Sequence, residues 1–140
     1  MKEEIILRWI KKAEEDLKIA KHLLEAEELL TGGVCFHCQQ AVEKYLKGYL
    51  THLGIRVGKT HDLDKLMNLC IEHDKDFEDL DKDKISSLGF YAVEVRYPDE
   101  FYTPSIEEAK KSFEIASNVK DFVFKKLDIH NLNDLMKDEK

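Results

Sequence analysis

The sequence predicts a single all-α domain, an up-and-down bundle of about five helices. The chain has 140 residues, which suits one domain. It contains two prolines and six glycines while Lys and Glu are abundant, a composition that favours helices over a turn-rich β fold. Apolar residues recur at intervals of three and four, as on one face of a helix. We expect the bundle to occupy residues 1–127, and residues 128–140 to form a polar tail that is frayed or extends the last helix.

Composition and charge narrow the class of protein. The chain has no apolar run of about 18 residues, and its first residues lack the pattern of a signal peptide, so we expect a cytoplasmic protein with no membrane contact. The net charge of −7 argues against a general DNA binder. One stretch departs from this average, because residues 44–61 contain no acid and four basic residues. Such a strip suits a compact anion such as a nucleotide phosphate, although a chance excess of charge on a solvated surface is the alternative.

The first two helices are predicted over residues 2–30 and from about residue 34 to residue 52. We expect Glu14 and Glu15 on the outer face of the first helix, and an end at Thr31-Gly32-Gly33, where glycine supplies the left-handed residue that closes a helix. The second helix should stop near Gly54. Beside its apolar stripe it carries a polar stripe with the same three-to-four spacing, made of His37, Gln40, Lys44 and Lys47.

The remaining three helices are predicted from their start and stop signals. Thr60 or Asp62 should cap the third helix, which leads into a solvated acidic connection over residues 72–83. The fourth should run from near Asp83 to Tyr97, because the following Pro98 disfavours a helical residue before it. This leaves Arg96 at a helix C-terminus. The fifth begins at Ser105 and Glu108, which have the spacing of a capping box, and buries a face that includes Ile106.

The three cysteines raise the question of a metal site. Cys35 and Cys38 form a Cys-x-x-Cys pair around His37, and Cys70 lies in the next helix. A structural zinc site needs a second pair of ligands at matched spacing, and none follows. We therefore predict no metal and no cofactor, and expect free thiols that fill small apolar positions.

Four segments in this order resemble the HEPN domains, over a range from Trp9 to about Leu127. HEPN domains are small, mostly dimeric helical bundles that occur as partners of minimal nucleotidyltransferases, as ribonuclease toxins and as nucleotide-binding modules. The segments are AEEDLKIA (13–20), FHCQQAVEKYLKGYL (36–50), Gly54 followed by Thr60-His61-Asp62-Leu63, and Arg96-Tyr97-Pro98. The resemblance implies a homodimer that works beside a separately encoded minimal nucleotidyltransferase.

The resemblance also implies that the second and fourth helices pack side by side and form a cleft. Arginine and lysine in this cleft would hold phosphate oxygens of ATP, GTP or RNA, and Tyr97 would stack on a base. Alternatively, Arg96 simply pairs with Asp99 or Glu43, and the lysines are ordinary surface residues. The candidate ligand-binding residues are His37, Gln40, Lys44, Lys47, His61, Arg96 and Tyr97.

Three functions follow as hypotheses. The first is a nucleotide-binding partner of a nucleotidyltransferase, of the non-catalytic or the toxin type. The second is a metal-independent endoribonuclease that uses Arg96. The family's ribonucleases place a histidine a few residues after the arginine, and here none lies between Arg96 and Ser105, so Tyr97, Tyr102 or His37 would transfer the proton. The third is a structural adaptor for protein contacts. We assign no catalytic residue outside the second hypothesis.

A literal match to the ribonuclease spacing exists elsewhere. Arg56 and His61 have the required separation, but they straddle the loop between the second and third helices, so we interpret the match as accidental. Nucleotidyltransferase activity in this chain is not expected, because the sequence has no Gly-Ser followed by paired aspartates to hold magnesium.

Overall fold

The computed structural model describes residues 2–93 and 102–129, and these parts of the chain form helices and no strand. This confirms the predicted all-α class. A short 3-10 helix, Lys75–Asp79, lies between the third and fourth α-helices. The α-helices are α1 (Lys2–Glu25), α2 (Thr31–His52), α3 (Leu63–His73), α4 (Lys82–Leu88), α5 (Phe90–Val93) and α6 (Ile106–Lys126).

Helix α2 is the centre of the bundle and packs against α1, α3, α4, α5 and α6. More than half of its residues are buried, and they face several directions around the helix. A helix that is covered on most sides belongs to the interior of a fold. It approaches α1 closely at Gly48, where an added Cβ would lie 3.1 Å from Cδ1 of Ile10 and 3.3 Å from Cβ of Trp9. The two helices therefore depend on a residue without a side chain at this crossing.

The boundary between the first two helices differs from the prediction. Helix α1 ends at Glu25, and Thr31-Gly32-Gly33 begin α2 instead of closing α1. Gly33 serves close packing, because a Cβ there would lie 2.8 Å from Cδ1 of Leu23. The left-handed glycine that follows a helix is Gly54, with φ of 79°, after the end of α2 as predicted.

The acidic stretch 72–83 is more structured than predicted. Phe77, in the 3-10 helix, is fully buried and packs between the rings of Tyr49 and Phe122, with both centroid distances 4.8 Å. Two of the acids are helix caps: Asp74 accepts from the backbone N–H of Asp76, and Asp81 caps α4. Cap chemistry, as well as solvation, therefore explains why acids concentrate here.

The predicted caps of the other helices are confirmed. Asp62 accepts from two backbone N–H groups at the start of α3. Ser105 and Glu108 form the reciprocal bonds of a capping box at α6, with lengths of 3.0 and 3.1 Å. Ile106, expected in the core, is exposed instead, because the first turn of α6 points it outward.

The predicted fourth helix is interrupted. Gly89 separates α4 from α5, although Ile85, Leu88 and Tyr91 are buried as expected. Glycine costs about 1 kcal/mol relative to alanine inside a helix, which favours a break there. The predicted end of this helix near Tyr97 lies outside the described residues, as does the tail beyond residue 129. None of the described helices combines the length and apolar content that a membrane span requires.

Phe77 gives a test of whether the acidic stretch is part of the core. We expect Phe77→Ala to lower the free energy of unfolding by about 3–5 kcal/mol, because it leaves a cavity between two aromatic rings. Phe90→Ala, at an exposed phenylalanine, is the control and should cost clearly less. Urea denaturation followed by circular dichroism measures both. Equal costs would show that residues 75–79 are not docked on the core.

Candidate functional site

A buried carboxylate on α1 gathers two of the predicted site residues. Asp16 Oδ1 lies 2.8 Å from Nδ1 of His37, and its Oδ2 accepts from Nζ of Lys44 at 2.5 Å. His37 and Lys44 are seven residues apart, about two turns of α2, so they share the face that meets α1. Their side chains are 27% and 20% exposed, whereas that of Asp16 is 10% exposed. We call these three residues the Asp16 cluster.

The Asp16 cluster orients the imidazole of His37. An ionised carboxylate only accepts hydrogen bonds, so the contact places the proton of a neutral imidazole on Nδ1 and the lone pair on Nε2. The ring of Phe36 meets the imidazole edge to face, with centroids 5.3 Å apart, and further restricts it. Nε2 of His37 can then accept a proton, or donate a hydrogen bond when the ring is protonated.

A second carboxylate, on α2 itself, gathers two more predicted residues. Glu43 Oε2 lies 3.0 Å from Nζ of Lys47 and 3.0 Å from Nδ1 of His61, which follows α2 in the loop before α3. Both partners on α2 are buried, with side chains 3% exposed, while His61 is 72% exposed. Nζ of Lys47 also lies 5.2 Å from the ring centroid of Trp9, a cation–π distance. We call Glu43, Lys47 and His61 the Glu43 cluster.

Gln40 binds its neighbour on α2. Its Nε2 donates to Oε1 of Gln39 at 2.7 Å, and Gln39 is itself fully buried, with Nε2 3.5 Å from Oε1 of Glu43. The five candidates that the structure describes therefore divide into two carboxylate-centred pairs and one glutamine. Arg96 and Tyr97 lie outside the described residues, so their part in a cleft stays a prediction.

The charges of the two clusters change the interpretation of the basic strip. Residues 44–61 contain no acid, yet Lys44 is paired with Asp16 and Lys47 with Glu43. Both acids precede the strip in sequence. Asp16 reaches Lys44 because α1 packs on α2, and Glu43 reaches Lys47 because it lies one helical turn earlier in α2. Of the four basic residues, only Arg56 and Lys59 are exposed. The positive charges of the two lysines of α2 are therefore balanced by neighbouring carboxylates.

Sequence reasoning missed two buried acids of α1. Glu14 was expected on the outer face, but it is buried, accepts a hydrogen bond from the hydroxyl of Tyr45 and lies 3.3 Å from Nζ of Lys120 on α6. The prediction was wrong because α6 covers this side of α1. Asp16 matches no cap or motif pattern. Its signal was its place among the apolar positions of α1, adjacent to Leu17 and four residues before Ala20.

The three cysteines are free and buried. Burial raises the pKa of the Cys35 thiol, which also receives a weak hydrogen bond from Ser112 at 3.5 Å. Burial likewise raises the pKa of Cys38, and that of Cys70 to about 12. Thiols in such surroundings stay protonated and fill space, as the sequence predicted for them.

Glu108 on α6 binds tyrosines on both sides of residues 94–101. Its Oε2 accepts from the hydroxyl of Tyr91 at 2.6 Å and its Oε1 from that of Tyr102 at 2.5 Å. The hydrogen bonds from Tyr102 and Tyr91 hold the pKa of the Glu108 carboxyl below its usual value, and they outweigh the opposing effect of burial. One carboxylate thus ties α5 and the residues before α6 to the first turn of α6.

The buried pair of the Glu43 cluster predicts a strong and asymmetric effect on stability. Lys47→Met should lower the free energy of unfolding by about 3 kcal/mol, because it leaves the Glu43 carboxylate buried without its cation. The double variant Glu43→Gln/Lys47→Met should recover part of this loss, since the uncompensated charge is then gone. Lys59→Met is the control at an exposed lysine and should change little. Chemical denaturation of the four proteins checks this, and a double variant less stable than Lys47→Met would contradict it.

The lowered pKa of Glu108 predicts a pH dependence. A carboxyl whose pKa is lower in the folded state stabilises the fold above its unfolded pKa, about 4.3, and this contribution is lost as pH falls through the folded pKa. The melting temperature of Glu108→Gln should therefore lie below that of the wild type at pH 7 and approach it at pH 3. The control is Glu107→Gln, at an exposed neighbour. A gap for Glu108→Gln that does not shrink with acid would refute the assignment.

A family model for the HEPN domain matches residues 6–127, which is most of the chain and includes both clusters and every described helix but the first residues of α1. Searches of curated proteins and of solved structures gave no match. The matched range agrees with the resemblance found in the sequence, and the all-α bundle agrees with the fold of that family. On this basis the chain belongs to the HEPN domain family.

Proposed function

We propose that this HEPN protein is the partner, of the non-catalytic or the toxin type, of a separately encoded minimal nucleotidyltransferase, and that it binds a phosphate-bearing nucleotide or RNA at the Asp16 cluster. The observation that supports binding is that a histidine and a lysine meet at one carboxylate on a partly exposed face. Buried donors would be closed to a ligand, and fully exposed ones would not be oriented. The Asp16 cluster lies between these limits.

The donors of the Asp16 cluster suit a phosphate oxygen. The ammonium of Lys44 has three N–H groups, and Asp16 takes one of them. Nε2 of His37, held by Asp16 and Phe36, becomes a second donor when the imidazole is protonated. Charge-assisted bonds of this kind are short and strong. The Glu43 cluster is a weaker candidate, because Lys47 is almost completely buried and cannot reach a ligand without rearrangement.

Two parts of the proposal rest on the family resemblance alone. Arg96 would add a cation and Tyr97 a stacking surface, and both lie outside the described residues. The homodimer and the nucleotidyltransferase partner are likewise expectations from the family. Each can be tested separately from the Asp16 cluster: the dimer by light scattering, and the partner by chromatography of the two purified proteins together.

Calorimetric titration with ATP, GTP and a short single-stranded RNA tests the binding site. We expect at least one ligand to saturate the protein, and His37→Ala and Lys44→Ala each to weaken its affinity about tenfold, which corresponds to about 1.4 kcal/mol. Lys59→Ala removes an exposed lysine outside both clusters and should leave affinity unchanged.

Equal affinity in Lys44→Ala and in the wild type would remove the Asp16 cluster from the proposal. Arg96→Ala, measured in the same series, tests the part that comes from the family. If no ligand binds, the adaptor hypothesis remains. Tyr45, Tyr49 and Tyr91, the aromatic residues that this hypothesis assigned to protein contacts, are buried, whereas Phe90 and Tyr102 are exposed.

A second function, metal-independent cleavage of RNA, is favoured by one observation. The Asp16–His37 contact gives the chain a carboxylate-oriented histidine, which is the arrangement of a general base. Such a base could take a proton from a 2′-hydroxyl without the histidine that the family's ribonucleases carry after the arginine. RNA recovered from the titrations in the presence of EDTA should then be shortened by the wild type and intact with His37→Ala. Intact RNA in both samples would leave binding as the function.

A further inference from the structure

We infer that Asp16 determines which anions the site accepts: it holds the charge of the Asp16 cluster near neutral, so that the site takes a ligand with a single phosphate charge and disfavours polyphosphates. This inference rests on the proposed function, because it concerns the same site. It goes beyond the proposed function because it assigns a role to Asp16, whose carboxylate would repel the ligand.

The charge balance of the site follows from its contacts. Lys44 contributes one positive charge, and Asp16, at 2.5 Å, contributes one negative charge. His37 adds a positive charge only in its protonated form. The neighbouring Glu43 cluster provides no surplus either, since its carboxylate already faces Lys47 at 3.0 Å. On α6, Lys120 is engaged by Glu14. Lys47 and Lys120 are therefore each paired with a carboxylate of their own.

Burial makes the charge of Asp16 effective. Its side chain is 10% exposed, so water and salt screen it less than they screen a surface carboxylate. A phosphate oxygen that binds Lys44 shares the same ammonium with Oδ2 of Asp16 and must lie near it. The repulsion between the two anions grows with each further charge on the ligand. One phosphodiester would meet a modest penalty, whereas the chain of charges in a triphosphate would meet a large one.

The alternative role for Asp16 is to hold His37 and Lys44 in place, in which case its removal would weaken every ligand. The two roles predict opposite signs. If Asp16 filters by charge, a neutral residue of the same shape should strengthen binding, and the gain should rise with the charge of the ligand. Asp16→Asn provides this change: its amide oxygen can still accept from Nδ1 of His37, its NH2 group faces Lys44 and cannot accept from it, and the negative charge is lost.

The test compares ATP, without magnesium, with a dinucleotide joined by one phosphodiester, using the wild type, Asp16→Asn and the control Glu15→Gln. Glu15 is the exposed neighbour on α1, so its variant changes the net charge of the protein by the same amount. We expect Asp16→Asn to bind ATP about tenfold or more tightly than the wild type does, with a smaller gain for the dinucleotide and no gain in Glu15→Gln. An equal or weaker affinity of Asp16→Asn for ATP would overturn the inference.

A series on the wild type keeps the inference testable if Asp16→Asn does not fold. The affinity should fall from AMP to ADP to ATP, whereas an equal or increasing affinity would overturn the inference. Its failure can also be told from failure of the proposed function. Dinucleotide binding that Lys44→Ala abolishes, together with an ATP affinity that Asp16→Asn leaves unchanged, would refute the charge selection by Asp16 alone. Absence of binding by both the wild type and Asp16→Asn would refute both.

Discussion

The burial of α2 on most of its sides is the constraint on which the rest of the structure depends. A helix in this position carries polar side chains into surroundings where an unpaired charge or donor is costly. Glu43 and Lys47 meet this requirement within the helix, and Asp16 of α1 meets it for Lys44. Among the described residues, the buried polar side-chain atoms all have a hydrogen-bond partner. Asp16 and Glu43 thus lie where they can pair with the lysines of α2.

The same constraint limits how the protein can bind a ligand. A cation already satisfied by a buried carboxylate offers a phosphate less than a cation exposed to water, because the ligand competes with an internal anion. The two clusters differ in how accessible their donors are. In the Asp16 cluster both donors are partly exposed. In the Glu43 cluster the lysine is buried and only His61 is exposed. The first arrangement is compatible with binding and the second with a structural tie between α2 and the loop before α3.

The sequence predicts features that depend on residues a few positions apart, but not those that depend on contacts between distant segments. Caps such as Asp62 and Ser105 act on residues two or three positions away, so their patterns sufficed. Asp16 meets His37 and Lys44 across 21 and 28 residues, and only the packing of α1 on α2 shows that a carboxylate lies there. The prediction for Gly33 is wrong because a glycine that closes a helix and a glycine that admits a neighbouring side chain are identical in sequence. The HEPN resemblance succeeded because it drew on four segments together.

Gly48 connects the core packing to the electrostatics of the site. It lies one turn after Lys44 on the face of α2 that meets α1, and the missing side chain sets how near the two helices come. The reach of Lys44 to Asp16 is therefore governed by a steric spacer one turn away. A substitution that pushed the helices apart there would loosen the ion pair and alter the local charge without changing a charged residue. In this fold a purely geometric variant can have the phenotype of an electrostatic one.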